Sequence, residues 1–156
     1  MRKNTILKCL LWIVITNIIM MTSCSKVDER DQFIGTYRIN ATGSYSLVMD
    51  GQTYTESISD NNAPLTITKV SNSDNRVYVS GYYNSEASVV GNIITIVSET
   101  RTQTQDNLTM TMTVSHNRGT LSGNKLSFTS TITGNVYYQG SSYPIHGSIS
   151  NVAYKQ

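Results

Sequence analysis

The chain has 156 residues, of which 38% are hydrophobic and 14% charged, with a formal net charge of +2. Three of its 12 basic residues and none of its 10 acidic residues lie in positions 1–23, so the rest of the chain carries a charge of −1. A near-neutral chain without a Lys/Arg cluster lacks the footprint of a nucleic-acid-binding protein. Its length suits one domain rather than two.

The N-terminus has the pattern of a secretory signal peptide. Arg2, Lys3 and Lys8 precede an apolar segment over residues 9–22. This segment is shorter than the ~20 residues that a helix needs to cross a bilayer. A basic start, a short apolar core and small residues before a cleavage site are typical of secretory signals. We therefore predict a helical signal peptide over residues 1–23, with an uncleaved membrane anchor as the alternative.

The residues that close this segment are Met21-Thr22-Ser23-Cys24. They resemble the lipobox of bacterial lipoproteins, with Met21 where that pattern usually has leucine. The resemblance implies cleavage before Cys24 and acyl chains, such as palmitate, that anchor the protein in a membrane. Two or more chains are needed for stable anchoring.

Residues 24–32 are rich in charge and lack an apolar pattern, so we predict a flexible tether. This segment is similar to the acid-bearing export signal of surface lipoproteins of Bacteroidota. That similarity implies an outer-membrane protein exposed on the cell surface, with the periplasmic face as the alternative.

From Phe33 to Met49, apolar and small residues recur at every second position, which predicts a long strand with one buried face. Asp50-Gly51 is a preferred pair for a tight turn, and residues 52–59 return antiparallel. We predict a loop at residues 60–64 and a third strand over residues 65–70.

Further strands are predicted over residues 76–83, 89–90, 93–103, 108–114, 125–138 and 143–154, with a bulge near Ser150-Asn151. The prediction for residues 33–156 is one all-β domain of about eight antiparallel strands. An up-and-down barrel would remove exposed edges, and a two-sheet sandwich is the alternative. Glycines at positions 35, 43, 81, 134 and 147 favour the bends of a small barrel.

Alternation also predicts which side chains face inward, namely Phe33, Tyr37, Ile39, Leu108, Met110, Met112, Phe128 and Ile132. Small residues share this parity at Gly35, Ala41, Gly43, Gly81, Ser130 and Gly134. They leave either a cavity or closely packed backbone.

The segment Phe33-Ile34-Gly35-Thr36-Tyr37 resembles the Gly-x-Trp start of lipocalins, with Tyr37 in place of tryptophan. Residues 89–96 and 121–128 are similar to hairpins of lipocalin-like (calycin-like) lipoproteins of gut Bacteroidota. The resemblance implies a barrel that holds a small apolar or amphiphilic ligand. It also implies a basic residue, here Lys155, near the aromatic residue of the first strand.

We expect neither an enzyme nor a cofactor or metal protein. Nucleophile elbows, phosphate loops and candidate nucleophilic cysteines do not occur in the sequence after Cys24. His116 precedes turn residues and is predicted to be solvated, and His146 lies on the polar parity of the last strand. Glu56 and Glu99 lie within strands, but nothing in the sequence brings these carboxylates together.

The candidate binding residues are tyrosines near turns or strand ends, because an apolar ring with a polar tip suits a pocket mouth or a sugar. They are Tyr82, Tyr83, Tyr137, Tyr138 and Tyr143. Two functions follow from the sequence. One is a carrier of a small apolar or amphiphilic ligand, and the other is a surface module that docks a glycan or a protein partner.

Overall fold

The computed structural model describes residues 27–105 and 107–156, and its ten strands form one antiparallel sheet. The strands are β1 (Gly35–Met49), β2 (Gln52–Lys69), β3 (Arg76–Gly81), β4 (Ser85–Val90), β5 (Ile93–Ile96), β6 (Glu99–Gln105), β7 (Leu108–His116), β8 (Gly119–Ser122), β9 (Lys125–Tyr138) and β10 (Ser141–Lys155). The all-β antiparallel prediction is confirmed, with ten strands rather than about eight. The predicted signal peptide and Cys24 lie outside the described residues. Across the described ranges, no helix has the length and apolar character to span a membrane.

Eight of the strands close into a ring. Strands β1 to β5 pair in order, β5 pairs with β8, and β8, β9 and β10 follow before β10 pairs with β1. The ring encloses large apolar side chains that are at most 6% exposed, among them Phe33, Tyr37, Leu65, Ile94, Leu126 and Phe128. The centre of the ring is therefore a packed core.

The longest strands continue beyond the ring as an open sheet. Strand β8 pairs with β9 only over residues 125–127, which leaves residues 130–138 of β9 to pair with β7. Strand β6 then pairs with β7, so the open sheet has the order β2-β1-β10-β9-β7-β6. Strands β1, β6 and β9 all end on the side of this sheet that is farthest from the ring.

The predicted loop at residues 60–64 is wrong, because β2 runs through it without a break. Ala63 pairs with Ile39 and Asp60 with Ala41, so Asn61 and Asn62 lie opposite the single residue Asn40 and the strand absorbs one extra residue as a bulge. Asn62 has φ = 61°, and its N–H donates to Asn40 Oδ1 at 2.8 Å. Asparagine tolerates this left-handed conformation. The Asn-rich segment that looked like a loop in the sequence therefore forms a bend within β2.

Two other predicted features differ in the structure. Residues 93–103 form the separate strands β5 and β6, because β5 pairs with β4 and β8 whereas β6 pairs with β7. The predicted bulge near Ser150-Asn151 is also wrong. Strand β10 keeps a continuous register with β1 and β9, and Asn151 occupies an inward position at 1% exposure.

Glycines mark places where neighbouring strands approach closely. A Cβ atom at Gly43 would lie 2.8 Å from the Cα of Ile149, and one at Gly134 would lie 2.9 Å from the Cα of Met112. Real Cβ atoms do not approach backbone atoms this closely, and Gly147 is similarly crowded. Close backbone packing, rather than a cavity, therefore explains these three small residues.

Candidate functional site

One face of the open sheet is apolar on its central strands and partly open to solvent, whereas the edge strands β2 and β6 place Glu56 and Arg101 at its margins. We call it the inner face and define it by the side chains of Tyr45, Leu47, Ile58, Met110, Met112, Val114, Ile132, Val136, Tyr143, Ile145 and Ile149. The residues on the central strands are nearly inaccessible, as Ile145 at 1% and Ile132 at 3% show. Those nearer the edges, such as Met110 and Tyr45, are half-buried. A single sheet buries its central side chains in this way only if it curls around them.

The methionines of the chain after residue 23 all share the strand parity of this face. Met110 and Met112 are part of it, and Met49 follows Leu47 at the same parity near the end of β1. All three are half-buried. Methionine is flexible and polarizable and is common on surfaces that adapt to different apolar partners.

A chain of buried polar side chains lies where the inner face meets the ring, and we call it the polar chain. Tyr83 Oη donates to Asn151 Oδ1 at 2.8 Å, and Asn151 Nδ2 donates to Ser130 Oγ at 3.0 Å. Ser130 Oγ lies 2.9 Å from His116 Nδ1. All four residues are at most 9% exposed. Strand pairing puts His116 beside Ser130, two residues beyond Val114 on the inner face.

The prediction that His116 is solvated is wrong, because β7 extends to this residue before the chain turns. The imidazole ring lies edge-to-face against Tyr83, with 4.5 Å between centroids. Its Nε2 atom is buried and has no hydrogen-bond partner among the described residues. Burial lowers the pKa of His116, while the charge of Glu99 acts weakly in the opposite direction.

The sequence did contain a signal for this burial. His116 continues the alternation of Met110, Met112 and Val114, which all face inward. Turn residues immediately after it obscured the pattern. His146, by contrast, is exposed on β10 as predicted.

The two strand carboxylates occupy opposite edges of the open sheet. Glu56 is exposed on β2, whereas Glu99 lies on β6 with its side chain 14% exposed. Glu99 accepts hydrogen bonds from the Asn84 N–H at 2.8 Å and from Arg101 Nη2 at 2.7 Å. These contacts make Glu99 a structural group that ties the β3–β4 connection to β6.

Tyr82 and Tyr83 lie at the boundary between the ring and the inner face. Tyr83 is buried in the ring core, and burial raises its pKa to about 12. Tyr82 is half-buried and packs against both the ring core and the inner face. Its hydroxyl donates to Asp60 Oδ2 at 2.7 Å. Burial, reinforced by this bond, raises the pKa of Tyr82.

The other three predicted tyrosines lie at the far end of the open sheet. By strand parity Tyr138 and Tyr143 belong to the inner face and Tyr137 to the opposite face. Tyr138 and Leu108 line a shallow depression of about 390 Å³. The five tyrosines thus do not form one cluster, and their role in ligand binding stays a prediction.

The opposite, outer face of the open sheet consists mostly of hydroxyl side chains. Three pairs of threonines join β6 to β7 through hydroxyl contacts of 2.8–3.2 Å, namely Thr100–Thr113, Thr102–Thr111 and Thr104–Thr109. The row continues across the sheet from Thr113 to Thr133, His146, Ser46 and Thr55. Tyr137 is its large exposed aromatic residue, at 48% exposure.

Residues 28–32, part of the predicted tether, contact the ring end of the molecule. Asp28 accepts hydrogen bonds from Arg30 at 2.7 Å and Lys69 at 2.8 Å, which hold the pKa of that carboxyl well below its usual range. Glu29 accepts from the Gly91 N–H at 2.7 Å. Lys155 Nζ donates to the Gln32 carbonyl at 3.2 Å. This segment therefore leaves the domain at the end opposite the free turns of the open sheet.

Comparison with known proteins identifies no family for the chain. No family model matches it, and no curated protein matches it. Among solved structures, the chain has a weak similarity to a multidomain protein including DUF1735 from Bacteroides ovatus, with 12% identity and a TM-score of 0.28. The alignment covers 76% of this chain and 48% of that chain. A similarity of this strength carries no argument about function.

Proposed function

We propose that the protein is a lipid-anchored, non-catalytic module that binds a small apolar or amphiphilic molecule on its inner face. The observation that supports this most is the half-buried apolar surface with its three methionines. Contiguous exposed apolar surfaces on soluble domains usually mark sites of interaction. An amphiphile suits the inner face because its apolar floor carries tyrosine hydroxyls at one end and the polar chain at the other.

The inner face is a better site than the centre of the ring. Large side chains such as Phe33, Tyr37 and Phe128 already fill the ring. A guest there would have to displace a packed core, whereas on the inner face it covers side chains that are still partly exposed. Binding there removes apolar surface from water at about 25 cal/mol per Å².

The N-terminal segment lies at the opposite end of the domain from the open sheet, which fits an anchored protein whose ligand site points away from the membrane. Residues 28–32 contact the ring, and the open sheet extends away from that end. Acyl chains on Cys24 would therefore hold the ring toward an outer membrane and the inner face toward the surroundings. Palmitate labelling tests the anchor, because Cys24→Ser should abolish the label. A label that persists on the serine variant would contradict the lipobox interpretation.

A fluorescent apolar probe tests the binding site. The probe should gain intensity with a soluble chain of residues 25–156, and Met110→Asp should weaken its affinity about tenfold or more by placing a charge in the apolar site. Thr111→Asp is the matched control, because Thr111 is the next residue and faces outward. Equal responses of both variants would reject the inner face as the site.

A second candidate function is glycan docking on the outer face. The observation in its favour is the continuous surface of hydroxyl groups around the exposed ring of Tyr137. Tyrosine rings and hydroxyls are groups that stack on and hydrogen-bond to sugars. Binding to immobilised glycans should then be lost in Tyr137→Ala and kept in Tyr138→Ala, which alters the opposite face. Loss in neither variant would remove this candidate.

A further inference from the structure

The Asn151 amide has a defined orientation within the polar chain. Asn151 Nδ2 donates to Ser130 Oγ at 3.0 Å and also lies 3.4 Å from the Ile149 carbonyl. These two acceptors fix the orientation of the amide, so its Oδ1 atom accepts from Tyr83. Ser130 Oγ thus accepts from Asn151, and His116 Nδ1, 2.9 Å away, is one acceptor within reach of its own proton.

A Ser130 proton donated to Nδ1 would select one tautomer of His116. A neutral imidazole that accepts at Nδ1 carries its proton at Nε2. The buried Nε2–H is then a donor without an acceptor among the described residues. A buried donor left unpaired costs about 1–3 kcal/mol, and most proteins avoid it. Glu99, the nearby charged group that acts on the His116 pKa, already accepts from Asn84 and Arg101.

We infer that the His116 Nε2–H is the polar anchor of the inner face, and that its ligand is an amphiphile whose head group supplies an acceptor oxygen, such as a carboxylate or an ester. This inference rests on the proposed function. It adds where the head group binds and which chemistry it has. The apolar tail would extend from His116 along Val114, Met112 and Met110 over about 20 Å of strand.

Because Nε2 is buried, a head group can reach it only if neighbouring side chains move. Tyr82 is half-buried, contacts both the ring core and the inner face, and packs edge-to-face on Tyr83, the ring that lies against His116. Its hydroxyl is held by a hydrogen bond to Asp60 on β2. Tyr82→Ala should therefore increase the association rate of the ligand.

Nitrogen NMR of ¹⁵N-histidine-labelled protein tests the anchor. Residues 25–156 contain every described strand and the whole packed core, so this chain is used without its acyl groups. The free protein should show His116 as the Nε2–H tautomer. Decanoate and methyl decanoate, which offer acceptor oxygens, should shift its Nε2 signal. His146, the other histidine, is exposed on the outer face and should not respond.

Affinities complete the test. Decanoate and methyl decanoate should bind about tenfold more tightly than decylammonium, whose head group only donates. His116→Phe should remove this preference while leaving residual binding of all three to the apolar face. Ser130→Ala, a smaller change, should shift the tautomer toward Nδ1–H and reduce the preference.

The possible failures are distinguishable. Equal affinities for the three amphiphiles, or a preference that survives in His116→Phe, would overturn the anchor and leave the proposed function standing. An Nε2 signal that stays unchanged with ligand bound would mean that a buried water satisfies this atom, and would also overturn it. If none of the three amphiphiles and no apolar probe binds, the proposed function itself fails.

Discussion

Replacement of Tyr83 by phenylalanine tests the polar chain most simply, because it removes one oxygen atom and keeps the ring. Tyr83 is 6% exposed and Asn151 1% exposed, and a 2.8 Å hydrogen bond joins them. In Tyr83→Phe the Asn151 Oδ1 atom stays buried without a partner. The cost should be about 1–3 kcal/mol of unfolding free energy. For a domain of this size each kcal/mol corresponds to about 4 °C, so the melting temperature should fall by about 4–12 °C.

Urea unfolding followed by circular dichroism measures this change. Tyr138→Phe is the matched control, because Tyr138 is 37% exposed and its loss should change stability by at most about 0.5 kcal/mol. The double variant Tyr83→Phe/Asn151→Leu should lose about 1 kcal/mol less than the sum of its single changes, because it removes both partners of the bond. Equal effects of Tyr83→Phe and Tyr138→Phe, or strict additivity, would refute the coupling.

Three further predictions concern pH, backbone packing and burial. Burial holds the pKa of His116 below its ordinary 6.5, so the unfolded chain takes up this proton before the folded protein does as pH falls. The unfolding free energy should therefore be highest above pH ~6.5 and decline below it. His116→Phe should make this decline shallower in urea melts. Gly134→Ala should cost about 1–3 kcal/mol because its Cβ would collide with the backbone of β7, whereas Thr133→Ala on the outer face should change little in the same thermal melt. Ile145→Ala should lower the unfolding free energy by about 2–5 kcal/mol in chemical unfolding, and Met110→Ala by distinctly less, because Ile145 is 1% exposed and Met110 is half-buried. Similar losses in the two variants would contradict an inner face that is partly open to solvent.

The alternation of residues was enough to predict the β class and the parity of most strands. Phe33, Tyr37, Ile39 and Ile132 are buried as predicted. Leu108 shares their inward parity but is 39% exposed. Alternation identifies a face, but it does not tell whether a closed ring or only a curled sheet covers that face. Which strand lies beside which is set by distant pairing, such as β5 with β8, and local patterns do not contain it.

The polar chain was missed for a related reason. His116 and Asn151 looked like a turn residue and a bulge residue because each polar side chain was judged by its neighbours in sequence. Their partners lie 14 and 68 residues away, at Ser130 and Tyr83. Buried polar groups are stable only with such partners, so the sequence around either residue does not show that it is buried. Gly134 was ambiguous as well, and only the approach of β7 shows that Gly134→Phe would collide with backbone rather than fill a cavity.

The central claim, that an amphiphile binds on the inner face, is tested most directly by NMR of methyl-labelled methionines. Met49, Met110 and Met112 all lie on this face, so each reports on it without mutation. In otherwise deuterated protein, bound decanoate should give nuclear Overhauser contacts from its tail to the labelled methyl groups, first of all to that of Met112, which lies four residues from His116 on β7. Decanoate that binds without any contact to these methyl groups, or that shifts only outer-face signals such as those of Thr111 and His146, would contradict the claim.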